Sequence, residues 1–185
     1  NVTGGTLAIE GVNARYSALT RMSPDAEVSL DNAQGLGSGN IANDGLLTLK
    51  NVTGELRNSM SGKGVVSATA ETDVELDGDN SRFAGQFNID AGSALSVNEQ
   101  KNLGDASVIN NGLLTIATER GWAMTHSITG SGDVTKLGTG ILTLNNDSAA
   151  YQGTTDIVAG EIAFGSGAAI DMASQHINIH NSGVM

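Results

Sequence analysis

The side chains that could do chemistry in this chain are few and poorly spaced for it. His176 and His180 stand four apart, a spacing that on a helix would pair two imidazoles for zinc. Here they flank Ile177-Asn178-Ile179, an alternating pattern that reads as strand. Same-face residues four apart on a strand are about 13 Å apart, too far to share one ion. With Ile177 and Ile179 directed inward, both histidines point to solvent. Ser38 and Ser166 each lie in a Gly-Ser-Gly turn, and neither G-x-S-x-G nor GDSG occurs. Asp77, Asp79 and Asn80 resemble the start of a calcium loop. Its sixth and twelfth positions require Gly and Glu, and Arg82 and Asn88 stand there instead. Gly62-Lys63-Gly64 lacks the upstream glycine and the Ser or Thr of a phosphate-binding loop. The reading is therefore of a chain with no catalytic site, no metal site and no cofactor.

Composition narrows the partners. The 185 residues carry 20 acidic and 9 basic side chains, a net charge of −11. Such a surface repels nucleic acid and anionic lipid headgroups, and no Lys/Arg cluster overrides the sign. Charged residues are 16%, well under the usual quarter, so the polar surface must be mostly Asn, Ser, Thr and Gly. Aromatics are 3%, so the core must be aliphatic. There is no cysteine, and stability must come from that core without disulfides. No apolar run approaches the roughly 20 residues of a spanning helix.

The elements follow from periodicity. Apolar residues come as alternating dyads, among them Val28/Leu30, Leu47/Leu49, Val74/Leu76, Leu114/Ile116, Leu142/Leu144, Ile162/Phe164 and Ile177/Ile179. Period two means short strands with one buried face. Clusters of Gly, Asn, Asp and Ser separate them and form turns. The best helical candidate, 98–107, is interrupted by Gly104. The chain also nearly repeats itself. Segment 62–92 matches 130–160 without a gap, an offset of 68, and 43–49 matches 110–116, an offset of 67. The near-repeats span 43–107 and 110–174.

A propeller would bring aromatic landmarks at a shorter period, and a sandwich would not repeat. The pattern predicts an all-β fold, a right-handed parallel β-helix, in which 68 residues make three coils of about 22 and the chain about eight coils. The whole of 1–185 reads as one β-helix segment cut from a longer protein. Segments 11–27 and 117–127 depart from the pattern and read as loops; the second holds Trp122, the only tryptophan, expected to plug the core or anchor the loop.

Residues 136–165 resemble the autotransporter-associated β-strand repeat, K-x-G-x-G-x-L-x-L followed by an Asn-rich turn and Y-x-G-x-T-x-I-x-x-G-x-L-x-x-G. Lys136, Gly138, Gly140, Leu142, Leu144, Tyr151, Gly153, Thr155, Ile157, Gly160, Ile162 and Gly165 occupy the pattern. The earlier copy keeps Leu76, Phe83, Gly85, Ile89 and Gly92 but has Ala68 for the lysine and Ala70 and Thr72 for the two glycines. The resemblance implies a passenger segment of a type V autotransporter from a Gram-negative bacterium, secreted across the outer membrane to the cell surface. It further implies an adhesin of the self-associating type, binding passengers on other cells or a host or abiotic surface, and touching the membrane only through a C-terminal barrel outside this chain. The alternative is a structural stem or folding nucleus that carries an N-terminal effector.

Overall fold

Alternating short strands separated by tight turns can close a coil only if each strand pairs with its counterpart one coil away. The computed structural model, which describes residues 1–145, 150–166, 168 and 176–184, has this arrangement. Every strand pairing among the described residues is parallel. Successive rungs are separated by 19 residues at the shortest, as from Glu27 to Leu46, and by 23 at the longest, from Glu161 to Val184. A parallel pair normally needs a long crossover; here the rest of the coil is the crossover. The product is a parallel β-solenoid of about eight turns, as the periodicity predicts.

The first sheet has seven strands: Gly5–Ile9, Ala26–Leu30, Leu46–Lys50, Val65–Thr69, Gln86–Ile89, Ser107–Asn110 and Ile128–Thr129. The second stacks Thr53–Leu56, Asp73–Leu76, Ala94–Val97, Leu113–Ala117, Asp133–Leu137 and the start of Thr154–Phe164, with His176–Val184 on its far side. The third is Thr20–Met22, Ile41–Asn43, Met60–Gly62 and Arg82–Phe83. The long strand Thr154–Phe164 turns a corner, and its last residues pair with Ile141–Leu144, which pairs in turn with Trp122–Met124.

Inside, identical positions stack into columns. Val28, Leu47, Val66, Phe87, Val108 and Ile128 form one, all buried. Leu56, Leu76, Val97 and Ile116 form another. Phe83 meets Phe87 edge-on at 5.3 Å. Each fully buried aliphatic side chain contributes roughly 1.5–3 kcal/mol by leaving water. The outermost rungs differ. Leu7, at 42% exposure, and Ile179, at 48%, stand in inward columns by register, but each has a described neighbour on one side alone. Ile179 is thus not shielded as its dyad pattern predicts, while Ile177 is partly buried against the core.

Two expectations are refined. The candidate helix at 98–107 is a single 3-10 turn, Gln100–Asn102, followed by Gly104 at φ +66°. The three-coil reading of the repeat is corrected. From Val66, three rungs lead through Phe87 and Val108 to Ile128, six residues short of the matching Val134, because tight corners shorten the coil. The offset therefore exceeds three coils by one side. Val65–Thr69 lies in the first sheet and its counterpart Asp133–Leu137 in the second; Met60 and Ser61 lie in the third and their counterparts Ile128 and Thr129 in the first. Of the off-pattern segments, 11–27 contains Thr20–Met22 after an exposed run, and 117–127 contains Trp122–Met124. The last part of the second near-repeat, 169–174, and most of the turn at 145–147 lie outside the described residues.

Ile157 is fully buried in the second sheet, whereas Thr143 stands on the opposite face of its strand from buried Leu142. Ile157→Ala should lower stability by about 2–5 kcal/mol and Thr143→Ala by under about 0.5 kcal/mol, read by urea unfolding of the chain. Equal costs would place the register one residue out.

Candidate functional site

The repeat motif is explained by one corner of the solenoid. By register, Lys136 occupies the inward column between Ile116 and Ile157, and its side chain is 0% exposed. A buried ammonium needs partners for all its donors. Its Nζ donates to the carbonyl oxygens of Leu137 at 2.7 Å, Gly138 at 2.8 Å and Ala159 at 3.2 Å. The lysine thus ties the corner of its own coil to the corner of the next. Burial pushes its pKa below the ordinary lysine range, opposed by the Glu119 carboxylate nearby.

The glycines make room for that corner. Gly138 and Gly160 both lie at positive φ, +75° and +74°, a conformation that costs other residues about 1–2 kcal/mol. A methyl group at Gly160 would lie 2.4 Å from the Gly138 carbonyl oxygen and 2.9 Å from Lys136 Nζ. Gly153 is pressed onto the preceding coil, where a methyl group would stand 1.7 Å from the Gly132 oxygen. Tyr151, 3% exposed, completes that turn. Its hydroxyl lies 2.8 Å from the Gly132 oxygen and 2.9 Å from the Thr154 oxygen. Burial raises its pKa above the ordinary tyrosine range.

The remaining motif residues hold apolar or close-packed places. Leu142, Ile157 and Ile162 are buried, Leu144 is partly buried against the core, and Thr155 is buried in the second sheet. Gly140 and Gly165 abut the backbone of 119–121 and the Asn145 side chain, respectively. Trp122 heads the inward column that continues through Leu142 and Ile162. It is partly buried, meets His126 edge-on at 6.2 Å, and its indole N–H has no hydrogen-bond acceptor among the described residues.

The two copies keep one backbone. Gly62 and Gly130 have φ +105° and +103°, Gly92 and Gly160 have +83° and +74°, and Ala70 keeps φ +52° where the later copy has Gly138. Ala68 lacks the ammonium, and Thr72 works nearby in its place. Its hydroxyl contacts the carbonyl oxygens of Leu49 at 2.9 Å and Thr69 at 2.7 Å, and accepts from the Val52 N–H. Asn43 and Asn110, matched in the shorter repeat, also act alike. Each donates to a carbonyl of the next coil, Val65 or Asp133, and accepts from the N–H two residues on.

The candidate chemical residues are not brought together. His176 and His180 are exposed; His180 lies 3.5 Å from Asp156. Ser38 and Ser166 are exposed turn residues. Asp79 accepts from the Ser81 N–H at 3.0 Å and hydroxyl at 2.6 Å, bonds that lower its pKa, while Asn80 is buried and bonded to backbone. Among the described residues no three His, Cys, Asp or Glu side chains are placed to hold a metal. Sequence reasoning missed a buried polar column at one corner, Asn58, Asn80 and Asn102. Asn58 donates to Gly37 and Gly39, Asn80 to Asn102, and Asn102 to Gly78. Their even spacing of 22 residues was the available signal. It also missed His126, 4% exposed, whose Nε2 lies 2.6 Å from the Gly104 oxygen.

Residues 134–164 match the family described as passenger-associated-transport-repeat. Repeat and solenoid together fit an autotransporter passenger domain built of β-repeats. Over its full length the chain is 90% identical to the uncharacterized lipoprotein YdeK of Escherichia coli strain K12, of which it spans 14%. Over 99% of its length it is 39% identical to the uncharacterized protein YuaQ of the same strain, of which it spans 13%. The chain is thus a small part of the length of these curated relatives. No solved structure matches it.

Lys136→Met should destabilise the chain by about 2–3 kcal/mol, because the buried carbonyls lose charge-assisted donors; urea unfolding measures it. The Tyr151 contribution has a defined pH window. The unfolded chain ionises tyrosine near pH 10 while folded Tyr151 keeps its proton, so the folded state binds more protons and stability falls as pH rises above about 10. Tyr151→Phe should cost roughly 1–2 kcal/mol at pH 7 and flatten that alkaline decline. An unchanged decline would mean that the phenol is not the group responsible.

Proposed function

We propose that this chain is a non-enzymatic, surface-exposed segment of an autotransporter passenger that mediates adhesion by self-association. The single observation that carries this reading is the outward face of the solenoid. Parallel register stacks Ser29, Thr48, Ser67 and Asn88 in one outward row. Glu75, Ser96, Thr115, Thr135 and Asp156 form another. Such rows offer many equivalent, short, hydrogen-bonding side chains along a rod. Each contact is weak, but parallel rods on two cells sum them through avidity. The family match and the lipoprotein relative support a location in the envelope or at the surface; export across the outer membrane belongs to the proposal.

The scattering of histidines, serines and carboxylates supports a role without catalysis. The second reading, a stem that carries an effector elsewhere in the longer protein, uses the same coils for spacing alone. The net charge of −11 separates the two. Like-charged rods repel at low ionic strength, and salt screens them over about 10 Å at 0.1 M. Clumping of bacteria that display the full-length protein should therefore increase as salt rises from about 10 to 150 mM. Replacing Ser29, Thr48, Ser67, Thr115 and Thr135 together by Ala, which removes the outward hydroxyls and leaves the net charge unchanged, should reduce it severalfold without changing the melting temperature by more than a few degrees. Clumping and attachment that ignore both changes would leave the stem reading standing.

A further inference from the structure

Beyond self-association, the third sheet carries a feature that the acidic character of the chain does not anticipate. Its outer surface is a shallow trough of about 470 Å³. Register places Arg21, Ala42, Ser61 and Arg82 in one outward row. The two arginines stand at the ends, three rungs or about 14 Å apart, with small side chains as the floor between them. Asn40, Ser59 and Ser81 line the trough beside that row.

Both arginines are exposed. Among the described residues the ion pairs are those of Arg57, Lys101 and His180, so neither guanidinium of the trough is in one. Asp79, which lines the same trough, is engaged by the N–H and hydroxyl of Ser81. Two guanidinium forks therefore remain available for bidentate contact with carboxylates. A floor of serine hydroxyls, one amide and the apolar Leu19, Ala42 and Met60 lies between them, with no aromatic ring among the lining residues on which a base could stack. The chain's net charge further disfavours the dense charge of nucleic acid.

We propose that this trough binds a linear, carboxylate-bearing polysaccharide. Two uronate groups would meet Arg21 and Arg82, and the hydroxyls of the neutral sugars between them would meet Asn40, Ser59 and Ser61. The recognition is lateral and shallow, so one trough binds weakly, and many displayed copies bind a long polymer by avidity.

The test is titration of the protein with a gellan oligosaccharide, whose glucuronates are separated by neutral sugars, beside dextran and single-stranded poly-dT. The gellan oligosaccharide should bind, dextran should bind at least tenfold more weakly, and the interaction should weaken as salt rises, opposite to the salt dependence expected of clumping. Arg21→Gln with Arg82→Gln should weaken binding at least tenfold with an unchanged unfolding midpoint, and each single change should weaken it severalfold. Asp79→Asn, which keeps the turn acceptor and removes the nearby negative charge, should tighten it about twofold to threefold. Arg57→Gln, on another corner, should change nothing. Equal binding of dextran, an unaffected double variant, or poly-dT bound as tightly as the gellan oligosaccharide would overturn the proposal.

Discussion

Closure of each coil onto the one before it is the constraint from which the rest of the structure follows. Every strand has its hydrogen-bonding partners about 20 residues away along the chain, and the chain must turn through three corners to reach them. The strands make few demands beyond alternation. The corners are demanding, because the backbone bends sharply there and leaves carbonyl oxygens pointing into the interior, away from both water and the ladder. An unsatisfied buried carbonyl costs roughly 1–3 kcal/mol, and a solenoid meets that problem at every corner of every coil.

The chain meets it with several kinds of side chain. Lys136 answers with an ammonium, Thr72 with a hydroxyl, Asn43, Asn80, Asn102 and Asn110 with amides that also accept from backbone N–H groups, and Asn58 with an amide that donates to two carbonyls. These are among the buried polar residues of a largely aliphatic interior. They bridge adjacent coils, so they couple one turn of the solenoid to the next more specifically than the aliphatic columns do. A leucine column tolerates a neighbour of similar volume; an asparagine that must reach one carbonyl and accept from one N–H does not tolerate a slipped rung.

Much of this was legible in the sequence, and the reason is physical. Alternating dyads such as Leu95/Val97 and Leu114/Ile116 specify strands and their inward face directly, and all four residues are buried. The motif from Lys136 to Gly165 was legible as a unit, although its letters alone do not say why a lysine belongs there. That answer needs the third dimension, since the Ala159 oxygen it reaches lies in the next coil. The length of a coil was not legible from the repeat, because an offset of 68 does not state how many corners it contains. Trp122 was hard to place because its column begins where the corner changes, and Arg21 and Arg82 came into one row only through the register of the two rungs between them.

The mismatch between repeat length and coil length has a consequence for how such a protein can change in size. Adding or removing one whole repeat alters the solenoid by three coils and one further side. Everything downstream would be displaced along the rod and rotated by about a third of a revolution. A face that pointed one way in one gene would point a third of a turn away in a gene with one repeat fewer, although every coil kept its own sequence. Three such events would restore the original orientation. Gain or loss of repeats thus acts as a stepper that re-aims distal surfaces around the axis in three positions, without any substitution in the surfaces themselves.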